Sequence, residues 1–177
     1  MKTILPFIFV ALLIVSCNSK KKEISEQESI QKEIVEIEKE LYSHEELDKE
    51  IAKDISSKYV YYADKFPTDS LSPEYLFKAA EIAMNLNEPG NAIKYLGRIE
   101  NDYKNYPRYA GCIFLTAYVY ENQLRNFTKA REYYERFLED YPDHVMAKDA
   151  KAALNFLGLD DQQIVDLFNE MNKNKPN

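Results

Sequence analysis

Residues 117–142 read AYVYENQLRNFTKAREYYERFLEDYP, and this stretch decides the fold. Ala117 and Tyr120 stand three residues apart, and Ala130, Tyr134 and Phe137 follow at spacings of four and three, with Lys, Arg and Glu between them. Spacings of three and four put one apolar stripe on each of two helices. A short loop around residues 122–126 separates the two, and Pro142 ends the second because proline holds the residue before it away from helical backbone. Two short amphipathic helices joined by a few residues make a hairpin that cannot bury its stripe without neighbours.

The neighbours are legible on both sides. Upstream, Ser72 reads as an N-cap, Pro73 as a first-turn proline and Glu74 as an early acid. The helix they open carries Leu76, Ala79, Ala80 and Ala83 and breaks at Asn87-Glu88-Pro89-Gly90. Its partner carries Ala92, Ile93, Leu96 and Ile99 and stops near Tyr103, and Pro107 opens the next helix, with Ile113, Thr116, Ala117 and Tyr120. Further upstream, Ile30, Ile34, Ile37 and Leu41 form a stripe over residues 24–42, for which a two-heptad coiled coil is the alternative. Residues 47–66 carry Leu47, Ile51, Ile55, Tyr59, Tyr62 and Phe66 on one face. Downstream come a helix with Met146, Ala150 and Ala153 that stops at Gly158, and a last short segment with Ile164, Val165 and Phe168.

KFPTD, NYP and DYPDH recur with prolines at 67, 107 and 142, and small residues recur at Ala80, Ala117 and Ala150. A period in the mid-thirties built of two helices predicts an all-α helical-hairpin solenoid. We expect about three repeats over residues 24–171, the first degenerate, with a short C-terminal capping helix and a polar tail at 172–177. Aromatic residues filling the gaps between hairpins account for most of the 14 Tyr.

The segment resembles tetratricopeptide repeats, whose consensus places a small residue and an aromatic in the first helix, Ala and an aromatic in the second, then Pro. Ala117, Tyr120, Ala130, Tyr134 and Pro142 make the best copy, with one extra residue in the loop. Ala80, Ala83, Ala92 and Leu96 make a looser one in which Pro107 arrives three residues late. Ile55, Tyr59, Tyr62 and Pro67 look like the second helix of the degenerate first copy. The resemblance implies a concave face lined by first helices. It puts Phe77, Glu81 and Met84, then Phe114, Tyr118 and Glu121, then Ala147 and Lys151 on a candidate protein-binding groove, with packing between hairpins as the alternative for the two Phe. Glu81 and Tyr118 do not match the Lys and Asn clamp by which some members of the family hold a peptide's carboxylate.

The chain opens MKTILPFIFVALLIVSCNSKKK. The apolar run from residue 4 to 15 spans about 18 Å as helix, short of the roughly 30 Å of a bilayer core. It reads as a secretory signal over residues 1–16. Ile14-Val15-Ser16-Cys17 resembles a bacterial lipobox, which implies cleavage before Cys17 and a diacylglycerol thioether on its sulfur. Residues 17–23 then form a polar tether. Asn18 is not the Asp that retains some such proteins at the inner membrane, so an outer-membrane anchor facing the periplasm is expected. Lipobox and repeats together resemble envelope lipoproteins of the outer-membrane assembly and cell-division-coordinator kind.

Charge and composition exclude much else. With 23 Lys+Arg against 30 Asp+Glu the formal charge is -7, which does not fit a nucleic-acid partner. His44 and His144 lie a hundred residues apart and outside any H-E-x-x-H pattern, so surface or capping roles are expected and no metal site. Cys112 lies in the apolar stretch AGCIFLTA and reads as a small buried side chain. There is no phosphate loop and no G-x-S-x-G elbow, so no catalytic residue and no cofactor beyond the lipid on Cys17 is expected. The expected role is a non-enzymatic, membrane-anchored scaffold binding envelope proteins. Self-association through the N-terminal helices is the alternative, and an enzyme accessory module the least favoured.

Overall fold

Eight helices follow one another in the computed structural model, which describes residues 15–43 and 45–173. They are α1 (Val15–Leu41), α2 (Lys49–Lys65), α3 (Ser72–Asn85), α4 (Pro89–Asp102), α5 (Tyr109–Asn122), α6 (Phe127–Asp140), α7 (Ala147–Phe156) and α8 (Asp161–Lys173). Residues 1–14, His44 and residues 174–177 lie outside this description, and with them nearly all of the expected signal segment. The backbone of α1 includes Cys17 and the expected tether. Among the described residues no helix is long and apolar enough to cross a membrane.

Local chemistry explains where the helices begin and end. Asp48 caps α2 by accepting from the N–H groups of Glu50 and Ile51, and Asn126 caps α6 by accepting from Lys129. Asp160 and Gln163 exchange side chain-to-backbone hydrogen bonds at the start of α8, a reciprocal capping box. Ser72 behaves differently from its expected N-cap role. It is the first helical residue of α3, fully buried, and its hydroxyl donates to the Phe66 carbonyl at 2.6 Å. Asn87 ends α3 in the left-handed region at φ 57°, and Arg125 does the same for α5 at φ 52°. The α5–α6 loop is one residue longer than the α3–α4 loop, as the sequence comparison of the two copies suggests.

Three connectors between hairpins share one hydrogen-bond pattern. Phe66, Tyr103 and Tyr141 each donate N–H to the carbonyl four residues back, at 2.9 Å. Their carbonyls accept from Asp69, Tyr106 and His144, whose own carbonyls accept from Ser72, Tyr109 and Ala147 at the start of the next helix. The repeat therefore advances from 66 to 103 to 141, and the proline alignment needs correction. Lys104 holds the place of Pro67 and Pro142. Pro107 falls three residues further on, in the turn before α5, at the place of Ser70 and Val145. Ala150 likewise corresponds to Cys112 and Tyr75 rather than to Ala117.

The same register aligns the second helices. Ile55, Ala92 and Ala130, then Tyr59, Leu96 and Tyr134, then Tyr62, Ile99 and Phe137 occupy equivalent core places, all no more than 1 % exposed. Burying a large apolar side chain contributes about 1.5–3 kcal/mol, so these three layers carry much of the drive to stack. On α1, Ile30, Ile34 and Leu41 are buried, with Ile37 partly so, in one cluster with Ile55, Tyr59 and Tyr62 of α2. The α1 stripe is thus spent within the chain, which answers the coiled-coil alternative. At the other end α7 packs on α6, and α8 follows with Val165 half exposed.

Gly158 makes the turn out of α7 at φ 80°, and a Cβ there would meet the Phe127 ring at 3.3 Å. Both the backbone angle and the close approach call for glycine.

Candidate protein-binding cleft

Residues of α1, α3 and α5, with Tyr59 of α2, meet around one cleft. This open cleft of about 380 Å³ lies where the end of α1 and the loop after it approach α3. Leu41, Tyr42, Leu47, Met84 and Leu115 supply its apolar wall, and Lys78, Glu81 and Asn85 its polar one. Tyr42 and Leu47 are 75 % and 43 % exposed, so these apolar groups are open to solvent. Their exposure follows from position: Leu41 closes the α1 stripe, and Tyr42 and Leu47 lie beyond it, outside the helices, with Leu47 lining the same cleft as Met84 of α3.

Lys78 fixes the floor. Its ammonium donates to Glu38 of α1 at 2.7 Å and lies 5.6 and 5.9 Å from the ring centroids of Tyr59 and Tyr75. Glu38 also accepts from the Tyr59 hydroxyl at 2.5 Å. A half-buried ion pair with aromatic faces beneath it holds α1, α2 and α3 in fixed relation. Glu81 is less well served. Arg108 lies 3.6 Å away, at an exposed distance too long for a hydrogen bond. Burial pushes its carboxyl above the ordinary range; Arg108 and, less, Lys78 oppose that shift and Glu74 adds to it.

The expected groove residues divide. Glu81 and Met84 line the cleft. Phe77 and Phe114 do not: they are 3 % and 9 % exposed, which removes them as open anchors. The Phe77 ring carries the Arg108 guanidinium at 3.7 Å, and Phe114 packs edge-on to Tyr134 and Phe137 at 5.5 and 5.6 Å. Each therefore holds helices together. Tyr118 is 41 % exposed, one turn beyond Leu115 on α5, and corresponds to Glu81 in the repeat. Glu121 accepts from the Tyr134 hydroxyl at 2.8 Å. Ala147 is buried. Lys151 is exposed on α7 but aligns with Ile113 rather than Tyr118, so it leaves the row. Sequence reasoning missed Leu41, Tyr42, Leu47 and Leu115. Stripe periodicity cannot mark a residue that is apolar yet half open at a turn.

The remaining reactive side chains have structural partners. Cys112 is free and fully buried, its Sγ donates to the Arg108 carbonyl at 3.4 Å, and burial pushes the thiol up to about 12. His144 accepts from the Met146 N–H through Nδ1 and packs edge-on to Phe137. Glu100, bonded to Arg136 and Thr116, ties α4 to α5 and α6. Among the described residues no group of His, Cys, Asp and Glu is arranged to hold a metal ion.

Residues 112–144, which include nearly all of α5, the whole of α6 and the connector after it, match the family model for the tetratricopeptide repeat. No curated protein and no solved structure gives a match. The chain thus contains a tetratricopeptide-type repeat, set in an all-α stack of hairpins that share its connector geometry and core register.

Proposed function

We propose that the chain is a protein-binding scaffold of the bacterial envelope, tethered through lipid on Cys17 and engaging its partner at the cleft between α1 and α3. The observation that carries this reading is the pair of open apolar side chains, Tyr42 and Leu47, gathered with the part-buried Met84 beside Lys78 and Glu81. A concave place with apolar walls and few polar groups is the usual form of a recognition site. Hairpin solenoids present such surfaces by stacking. The lipid anchor rests on the sequence around Cys17. Two or three acyl chains hold a protein to a bilayer firmly where one does not. Tethering would raise the effective concentration of the cleft near other envelope proteins.

The test is a quantitative cross-linking pull-down of the full chain from its native membranes beside a Leu47→Ser/Met84→Ser variant, with helicity checked by circular dichroism. An envelope protein recovered with the native chain and lost with the variant supports the reading. Equal recovery from both contradicts the cleft. A Cys17→Ser chain found still in the membrane fraction contradicts the anchor.

A further inference from the structure

The cleft is chemically lopsided. Its one cation, Lys78, is already held by Glu38 at 2.7 Å and by two tyrosine faces. Its one anion, Glu81, accepts no hydrogen bond and has a loose ion pair at 3.6 Å with Arg108, a guanidinium it shares with Glu74 at 3.5 Å. Next to Leu47 in the chain, Glu45 and Glu46 are exposed. An incoming basic group would meet an under-used carboxylate, whereas an acidic one would meet repulsion and a lysine already engaged. Complementary charge across an interface sets partner choice and orientation. The volume, near the lower end for ligand pockets, suits one or two bulky side chains and not a long peptide.

Resting on the cleft reading above, we propose that the occupant is a short partner segment pairing a bulky apolar residue with an adjacent lysine or arginine. The apolar side chain sits among Leu41, Leu47, Met84 and Leu115, and the cation meets Glu81. A cation close to Glu81 compensates the carboxylate that the cleft partly desolvates, so the two contacts reinforce each other.

The experiment is selection of a random dodecapeptide library on the full chain in detergent micelles, run in parallel on Glu81→Gln and on Leu47→Ser. Fluorescence anisotropy on the enriched peptides follows. The expected result is an enriched pairing of Lys or Arg with Leu, Ile or Phe. Glu81→Gln should weaken those peptides at least tenfold and abolish the preference for the cation, and Leu47→Ser should weaken them while keeping that preference. Raising salt should weaken binding to the native chain more than to Glu81→Gln. Enrichment without a cation, a preference that survives Glu81→Gln, or no enrichment at all overturns the proposal. If a partner captured from membranes binds at the cleft through a segment lacking a cation, this inference fails while the scaffold reading stands. If nothing is captured or enriched at the cleft, both fail.

Discussion

Glu38 on α1 and Lys78 on α3 form an ion pair at 2.7 Å that spans two helices, with Tyr59 of α2 hydrogen-bonded to the same carboxylate. Both side chains are less than a third exposed. Removing Lys78 leaves Glu38 half buried with a neutral partner only. We predict that Lys78→Ala costs about 1–2 kcal/mol, less than the 3–5 typical of fully buried pairs. Lys53→Ala, which removes an exposed pair to Glu50, should change stability by less than about 0.5 kcal/mol. Urea unfolding of the two variants checks the contrast.

Two glycines should respond in opposite directions. Gly158 sits at φ 80° against the Phe127 ring, so Gly158→Ala should destabilise by about 1–2 kcal/mol from the backbone alone. Gly97 lies inside α4 with nothing near its missing Cβ, so Gly97→Ala should stabilise by about 0.5–1 kcal/mol. Thermal or urea midpoints measured side by side give both signs.

Phe114 and Tyr118 separate packing from surface. Phe114→Ala removes a buried ring and should cost about 3–5 kcal/mol. Tyr118→Ala, on an exposed position, should change stability by less than about 0.5 kcal/mol. Chemical denaturation distinguishes them, and equal losses would contradict the placement of Phe114 in the core.

Alkaline pH should unfold the chain. Burial raises the hydroxyl of Tyr59, of Tyr134 and of Tyr75, the last to about 12, against about 10 for a free tyrosine. Because the folded values lie above the unfolded ones, the stabilisation is whole below pH about 10 and is lost as pH rises from there toward 12 and beyond. Absorbance at 295 nm follows tyrosine ionisation as the pH is raised. The buried set should ionise only with loss of helical circular dichroism. Smooth ionisation of every tyrosine near 10 in a folded chain would contradict the burial.

Much of the fold is written in the second helices. Ile55, Tyr59 and Tyr62 carry the same spacing as Ala130, Tyr134 and Phe137, and burial on one face is what that spacing encodes. Prolines misled the register because proline is tolerated at several places in a turn, so Pro107 and Pro142 mark different positions of one connector. The same slip carried Lys151 into a row it does not occupy. Phe77 and Phe114 illustrate a second limit. Both lie on first helices, but the ring direction that decides core against groove depends on where Arg108, Tyr134 and Phe137 come from in space. The cleft was half legible: Glu81 and Met84 follow from the repeat, whereas Leu41, Tyr42 and Leu47 join them only because the end of α1 and the segment after it line the same cleft as α3.

The most direct measurement is photo-cross-linking in living cells from a reactive amino acid placed at position 84, in the cleft, and at position 53, on the outer face of α2. The account predicts a discrete envelope protein captured from 84 and lost when Leu47→Ser is added, with nothing comparable from 53. The same products from both positions, or capture from 53 alone, would contradict the claim that the cleft between α1 and α3 is where this chain binds its partner.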